Sequence, residues 1–260
     1  MEPSALLDAF PIWTIFPLTL VVGLLAVEAG RRIARFWRRH AKDRTEAPAP
    51  PIVAATLGLL AFMQAFTFGI AASRFEERKQ NVLAEANAIN ISYLRAAMLP
   101  EPMATDARKL LREYLEVRLA GARPDQFQQA REKSEELQRQ LWSQAVAAVQ
   151  KERSPVTMSF TQALNDVISA HEKRVIAAAY NRVPGAIWVG LYLLFVIAMA
   201  VMGYYEGASG TMRSLAVFGM VIAFSAVLGL IADLDRPGQG LLQVSQQSML
   251  DVQRSMRSMP

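Results

Sequence analysis

Apolar residues along this chain gather in four blocks, and most charged residues fall between them. The first block runs from about Phe10 to Ala29, the second from Ile52 to Ala72, the third from Ala186 to Tyr204, and the fourth from Leu215 to Ala232. Each approaches the ~20 residues that carry a helix across ~30 Å of hydrocarbon at ~1.5 Å per residue. A soluble core helix is usually shorter and keeps a polar stripe. The pattern therefore predicts four transmembrane helices. Trp13, Phe16, Phe36, Trp37, Trp188 and the Tyr204–Tyr205 pair mark the expected membrane interfaces. Gly58, Gly69, Gly219 and Gly229 are candidates for close helix approach.

Between the second and third blocks the periodicity changes to that of amphipathic helices. No proline or glycine interrupts the chain from Ala71 to Met98, so the second span is expected to continue as one helix of roughly 70 Å. Val82, Ala86, Ile89, Tyr93 and Ala96 form its apolar stripe, and Pro100 and Pro102 stop it. A second helix, capped by Thr105 or Asp106, carries Leu110, Leu111, Tyr114, Leu115 and Val117 and ends at Gly121. Pro124 and Asp125 open a third, with Phe127, Ala130, Leu137, Leu141, Ala145 and Ala148 at helical spacing. Beyond Ser154–Pro155 a fourth carries Phe160, Leu164, Val167, Ile168 and Val175, and ends at Pro184–Gly185. Neither strand alternation nor an internal repeat occurs. The expected fold is all-α, an integral membrane protein whose four transmembrane helices hold an antiparallel helical bundle between the second and third. The expected parts are two spans with a basic connecting loop over 1–72, the bundle over 73–184, the other two spans over 185–232, and a C-terminal segment over 233–260. In that segment Met249, Val252, Met256 and Met259 predict an amphipathic helix lying on the bundle or the interface.

Charge refines this picture. The chain of 260 residues has a formal net charge of +5, and Gly30–Pro51 alone holds seven Lys/Arg against Asp43 and Glu46. The remainder sums to zero. A short basic stretch beside an apolar span reads as a topology signal or an anionic-lipid contact, and no nucleic-acid partner is expected. Glu2 and Asp8 precede the first span and the positive charges follow it, the reverse of a signal peptide. That order favours the basic loop in the cytoplasm, with the bundle and both termini on the other side. Arg74, Arg78 and Lys79 flank a span on the bundle side and pull the other way. The absence of cysteine excludes disulfides and thiolate chemistry.

Catalytic and metal signatures are lacking, so an enzyme, a cofactor or a metal site is not expected. His40 lies in the basic loop and His171 on the fourth bundle helix, where a lone histidine reads as a surface or satisfied polar residue. No nucleophile elbow, P-loop or dinucleotide turn occurs. Ionisable or polar groups near hydrocarbon carry more weight. Glu28 ends the first span before Arg31 and Arg32 and suits a local salt bridge. Gln64 and Thr67, three positions apart, share one face of the second span and either line an aqueous path or bond a neighbouring helix. Asp233, Asp235 and Arg236 leave the fourth span where Arg74, Arg78 or Glu85 could pair with them. That grouping, with Asn87, forms a candidate charge cluster at the membrane root.

Two stretches resemble a known family. AASRFEERKQNVLAEANAINISYLRAAMLP, from Ala71 to Pro100, is similar to the root of the long helix in bacterial bestrophin-like membrane proteins. LIADLDRPGQGLLQVSQQSM, from Leu230 to Met249, resembles that family's signature after the last span. Glu85, Asn87, Asp235, Arg236, Pro237, Gly240, Val244 and Ser245 are the positions that match. The resemblance implies a multi-pass protein of the bacterial plasma membrane and a distant kinship with bestrophins, pentameric anion channels whose inter-span domain is cytosolic. By that resemblance the partners are lipid, other copies of the chain and small inorganic ions. A homo-oligomeric channel would place Gln64, Thr67, Phe62, Phe66 and Phe68 around its pore. The alternative is a non-conducting sensor or scaffold acting through its bundle.

Overall fold

The computed structural model describes residues 11–40, 50–123, 125–179, 181–210, 214–236, 238 and 240–259. Among these are eight helices and no strand: α1 (Ile12–His40), α2 (Pro50–Ala96), α3 (Met103–Ala120), α4 (Phe127–Lys151), α5 (Pro155–Ala179), α6 (Gly185–Ser209), α7 (Leu215–Asp235) and α8 (Gln247–Ser258). Helices α1, α2, α6 and α7 are long and apolar enough to cross a membrane. Two compact units result, one of residues 1–73 and 182–236, the other of residues 74–181 and 237–260. The boundary at Ser73 falls inside α2, which therefore supplies both.

In the first unit, α1 packs on α6 and α7. Its interior holds Ile15, Val27, Leu60, Leu191, Phe195, Val221 and Leu228, all buried. Glycine sets how closely α1 and α6 approach. A methyl group on Gly30 would lie 2.0 Å from the Ala200 carbonyl oxygen, and one on Gly203 would lie 2.0 Å from that of Val27. Gly207 faces Arg31 and Ala34 in the same seam. Gly203 and Gly207 are four apart, the small-residue spacing that lets membrane helices meet backbone to backbone. The glycines expected from sequence are different ones. Gly58, Gly69 and Gly219 have no atom within 4 Å of an added methyl, and at Gly229 the nearest is 3.5 Å away, an ordinary contact. Helices α2 and α7 turn Gly58, Gly69 and Gly219 outward, whereas Gly229 meets Phe16 at ordinary packing distance.

Helix ends follow local chemistry. Ser214 caps α7, its hydroxyl accepting from the Ala216 amide at 3.1 Å. Gly210 ends α6 in the left-handed conformation that a side chain would disfavour. Pro155 occupies the first turn of α5, where its missing N–H costs nothing. The expected Thr105 or Asp106 cap is not used. Helix α3 starts earlier, at Met103, with no side-chain cap at Pro102, and the Glu101 carboxylate accepts the Thr105 amide at 3.4 Å. The spans also extend beyond the apolar blocks: α1 continues to His40 through its arginines.

The second unit closes around one apolar core. Val82, Ile89 and Tyr93 of α2 meet Leu111 and Leu115 of α3, Leu137 and Leu141 of α4, and Phe160 and Leu164 of α5. Helix α8 completes it with Met249, Val252 and Met256 buried and Met259 packed alongside. Helix α8 contacts α3, and the Tyr93 hydroxyl donates to the Met256 carbonyl at 3.4 Å. Arg108 and Arg112 stack on the Tyr93 ring, 4.7 and 5.3 Å from its centre.

Candidate functional site

A charged cluster lies inside the second unit. Four of its helices present polar side chains at positions in their apolar stripes. Glu85 falls between Val82 and Ala86 on α2. Tyr114 and Arg118 lie one turn apart on α3. Gln138 follows Leu137 on α4, and His171 and Arg174 lie beyond Val167 on α5. The cluster centres on Glu85, which is fully buried. Arg118 donates through Nε to Glu85 Oε1 at 2.7 Å and through Nη2 to Oε2 at 3.3 Å, a bidentate pair. Arg174 Nη1 donates to Oε2 at 2.7 Å, and its Nη2 donates to Gln246 Oε1 at 2.9 Å. Gln246 immediately precedes α8, so the C-terminal helix is tied to the same carboxylate.

The hydroxyl of Tyr114 organises the rest. It donates to Glu85 Oε1 at 3.0 Å, accepts from Gln138 Nε2 at 3.2 Å, and lies 3.2 Å from His171 Nδ1. A phenol has one proton, and Glu85 takes it. His171 Nδ1 must therefore carry the proton of the third bond. Nδ1 stands 3.8 Å from Glu85 Oε1, too long for a direct bond, so Tyr114 mediates between them.

Burial on its own would raise the Glu85 carboxyl, but His171 and the charges of Arg118 and Arg174 outweigh it. They hold Glu85 well below the usual carboxylate range. Burial, reinforced by the Glu85 charge, pushes the Tyr114 phenol well above its ordinary value. The two guanidiniums shift in opposite directions. Burial lowers both, but Glu85 more than restores Arg118, whereas Arg174 also feels the charge of Arg118 and ends lower. One carboxylate thus faces two cations, leaving one positive charge in excess.

Of the residues expected at the membrane root, Glu85 takes its partners from the core of the second unit. Glu85 lies eleven residues from Arg74, ~16 Å along the helix, and turns into the core toward Arg118 and Arg174. Asn87 is exposed. Arg74 Nη1 donates to Asn181 Oδ1 at 3.1 Å, and Asn181 Nδ2 to Glu77 Oε2 at 2.7 Å. Arg78 is buried. In the first unit Asp233, Asp235 and Arg236 are buried. Asp235 Oδ1 accepts the Val183 amide at 2.7 Å and its Oδ2 lies 3.7 Å from Arg182 Nε.

The pore candidates divide between faces of α2. Gln64 and Thr67 do share a face, as their spacing requires, but that face is buried in the chain's own first unit. Gln64 Nε2 donates to the Phe224 carbonyl at 3.1 Å, and Thr67 bonds back to the Met63 carbonyl at 2.8 Å. Phe62 and Phe66 lie on the opposite face, 65% and 58% exposed, and Phe68 stands on the flank at 37%. Glu28 makes the local salt bridges its position suggests, to Arg32 at 3.2 Å and Arg35 at 3.0 Å. Arg31 lies 3.9 Å from Glu28 through Nη1 and also reaches the buried Glu206 of α6 through Nη2.

Arg118, Gln138 and Arg174 escape a reading by apolar periodicity, and Tyr114 passes in it as a core residue. The available signal is a charged or amide residue on an apolar stripe, which burial makes costly unless it is paired.

No curated protein matches the chain. A crystal structure of a membrane protein superimposes with a TM-score of 0.62 at 14% identity, over 94% of this chain and 97% of that one. At that identity the likeness concerns the fold. The sequence model of the bestrophin-like domain matches residues 20–249, from within the first span to α8, and on that extent the chain belongs to the bestrophin-like family.

Proposed function

We propose that this protein is a homo-oligomeric ion channel, with the second spans of several copies surrounding an axis. Small inorganic anions are the expected cargo, by kinship with bestrophins. The observation that carries this reading is the poor cover of α2. Only 17% of its most apolar window is buried within the chain, against 28–33% for the other three spans. Phe62 and Phe66, one turn apart on its uncovered face, are the residues a neighbouring copy or a lumen would meet. A ring of phenylalanines constricts a pore and gates it by dewetting. Gln64 and Thr67 act differently, by bonding α2 within the subunit.

The basic segment after α1 faces the cytoplasm in this reading, by the positive-inside rule. The helices of the second unit form an antiparallel bundle on the other side of a bacterial plasma membrane, and no reaction is catalysed. A second reading, a non-conducting sensor or scaffold, draws on the Glu85 cluster, which places its charges in the extramembrane helices and not along a span. Chloride efflux from liposomes containing purified protein separates the two. Efflux that rises when Phe62 and Phe66 are replaced by alanine supports a hydrophobic constriction. Protein that is monomeric by mass in detergent and releases no chloride excludes the channel.

A further inference from the structure

The outward face of α1 carries the two chemistries a phospholipid presents, apolar and anion-binding. Leu18, Leu25 and Ala29 continue at helical spacing into Arg32, Phe36 and Arg39, and all six are exposed. The opposite face, with Val27, Gly30 and Ala34, is buried. Exposed tryptophans stand near both ends of the helix, Trp13 and Trp37, and the rise from one to the other is ~36 Å. That brackets a hydrocarbon core of ~30 Å, so Arg35 lies at its edge, Arg39 lies beyond it, and Arg32, about one turn deeper, reaches the headgroups with its long side chain. Arg32 and Arg35 share the single carboxylate of Glu28. Arg38 donates to the Gly207 carbonyl, and Arg39 makes no ion pair among the described residues. Glu28 and Glu206 oppose five arginines between Arg31 and Arg39, an excess of three positive charges.

We infer that this face binds an anionic phospholipid, its phosphate held by Arg32, Arg35 and Arg39 and its acyl chain lying along Ala29 and Leu25. A free anion would satisfy the guanidiniums but leave the apolar face uncovered. A zwitterionic lipid would cover that face but bring a compensating cation to the arginines. Only a lipid with net negative charge meets both demands. The site does not depend on whether the protein conducts.

Native mass spectrometry of purified protein titrated with phosphatidylglycerol or phosphatidylcholine tests it. The wild type should retain phosphatidylglycerol at about tenfold lower concentration, and a variant with Arg32, Arg35 and Arg39 all changed to Gln should lose that preference. A control that removes as many charges from the second unit, at Lys79, Arg131 and Arg139, should keep it. Arg39→Gln alone breaks no ion pair of the described structure and should cost about fivefold, which keeps the test open if the triple variant does not fold. Equal retention of the two lipids overturns the inference, as does an equal loss in the control. So does displacement of bound phosphatidylglycerol by millimolar inorganic phosphate, which would mark a simple anion site.

Discussion

Arg118 and Glu85 meet side by side in the core, Nε to Oε1 at 2.7 Å, although 33 residues separate them in the chain. Removing the carboxylate leaves Arg118 and Arg174 with no counter-charge in a buried setting. Glu85→Ala should therefore destabilise the second unit by about 3–5 kcal/mol, seen as a lowered thermal midpoint in detergent. Replacing Glu85, Arg118 and Arg174 together by apolar residues should cost far less, since no orphaned charge remains. A triple variant no more stable than Glu85→Ala would refute the assignment of the cost to unpaired cations.

The same cluster sets a response to acid. The folded carboxyl of Glu85 is depressed from its ordinary value of 4.5. Its contribution is thus complete above about pH 4.5 and declines as pH falls from there toward the folded value. Between pH 6 and 8 Glu85 should add no slope to stability. Unfolding curves taken down to pH 3 should steepen for the wild type and flatten for Glu85→Gln. Parallel curves would contradict the depressed carboxyl.

Tyr114→Phe deletes one oxygen that serves Glu85, Gln138 and His171. Gln138 and His171 would then be buried donors without acceptors, at a cost of about 1–3 kcal/mol. Nitrogen chemical shifts of His171 should report an Nδ1–H ring in the wild type. An Nε2–H ring would overturn the network's proton assignment.

Gly30→Val and Gly203→Val drive a side chain into the backbone of the facing helix. Each should destabilise the first unit by about 1–3 kcal/mol or more. Gly219→Ala, in open space, should change little and could gain up to about 1 kcal/mol from helix propensity. Thermal melts of the three variants decide, and a loss at Gly219 equal to that at Gly203 would contradict the seam.

Helix α8 is an integral part of its unit. Met256→Ala should cost about 2–5 kcal/mol, and truncation after Gly240 should unfold the second unit because it removes Met249, Val252 and Met256 from the shared core and the Gln246 tether of Arg174. Unchanged protease resistance after truncation would show that α8 is dispensable.

The spans could be read from sequence because twenty consecutive apolar residues have few other uses. The helices of the inserted segment were legible for a similar reason: their 3.6-residue stripes and the prolines at their ends are local. What lay beyond reach was pairing. Gln64 and Thr67 share a face by spacing alone, but which face the chain covers depends on α7, 160 residues away from Gln64 at the Phe224 carbonyl. From sequence Glu85 reads, with Arg74 and Arg78, as a candidate partner for the charged residues that leave the fourth span. Its partners come from α3 and α5, at separations of 33 and 89 residues. Gly203 and Gly207 carry a legible small-residue spacing that the isolated glycines lack. An outward glycine and one in a helix seam look alike until the facing helix is known.

The channel reading rests on the exposed α2 face and stands or falls with conduction. Single-channel recording of purified protein in planar bilayers tests it most directly. The account predicts discrete anion-selective steps whose amplitude or open time increases in the Phe62→Ala, Phe66→Ala variant. Bilayers that stay silent across pH, voltage and tension, with protein verified as inserted, would contradict it.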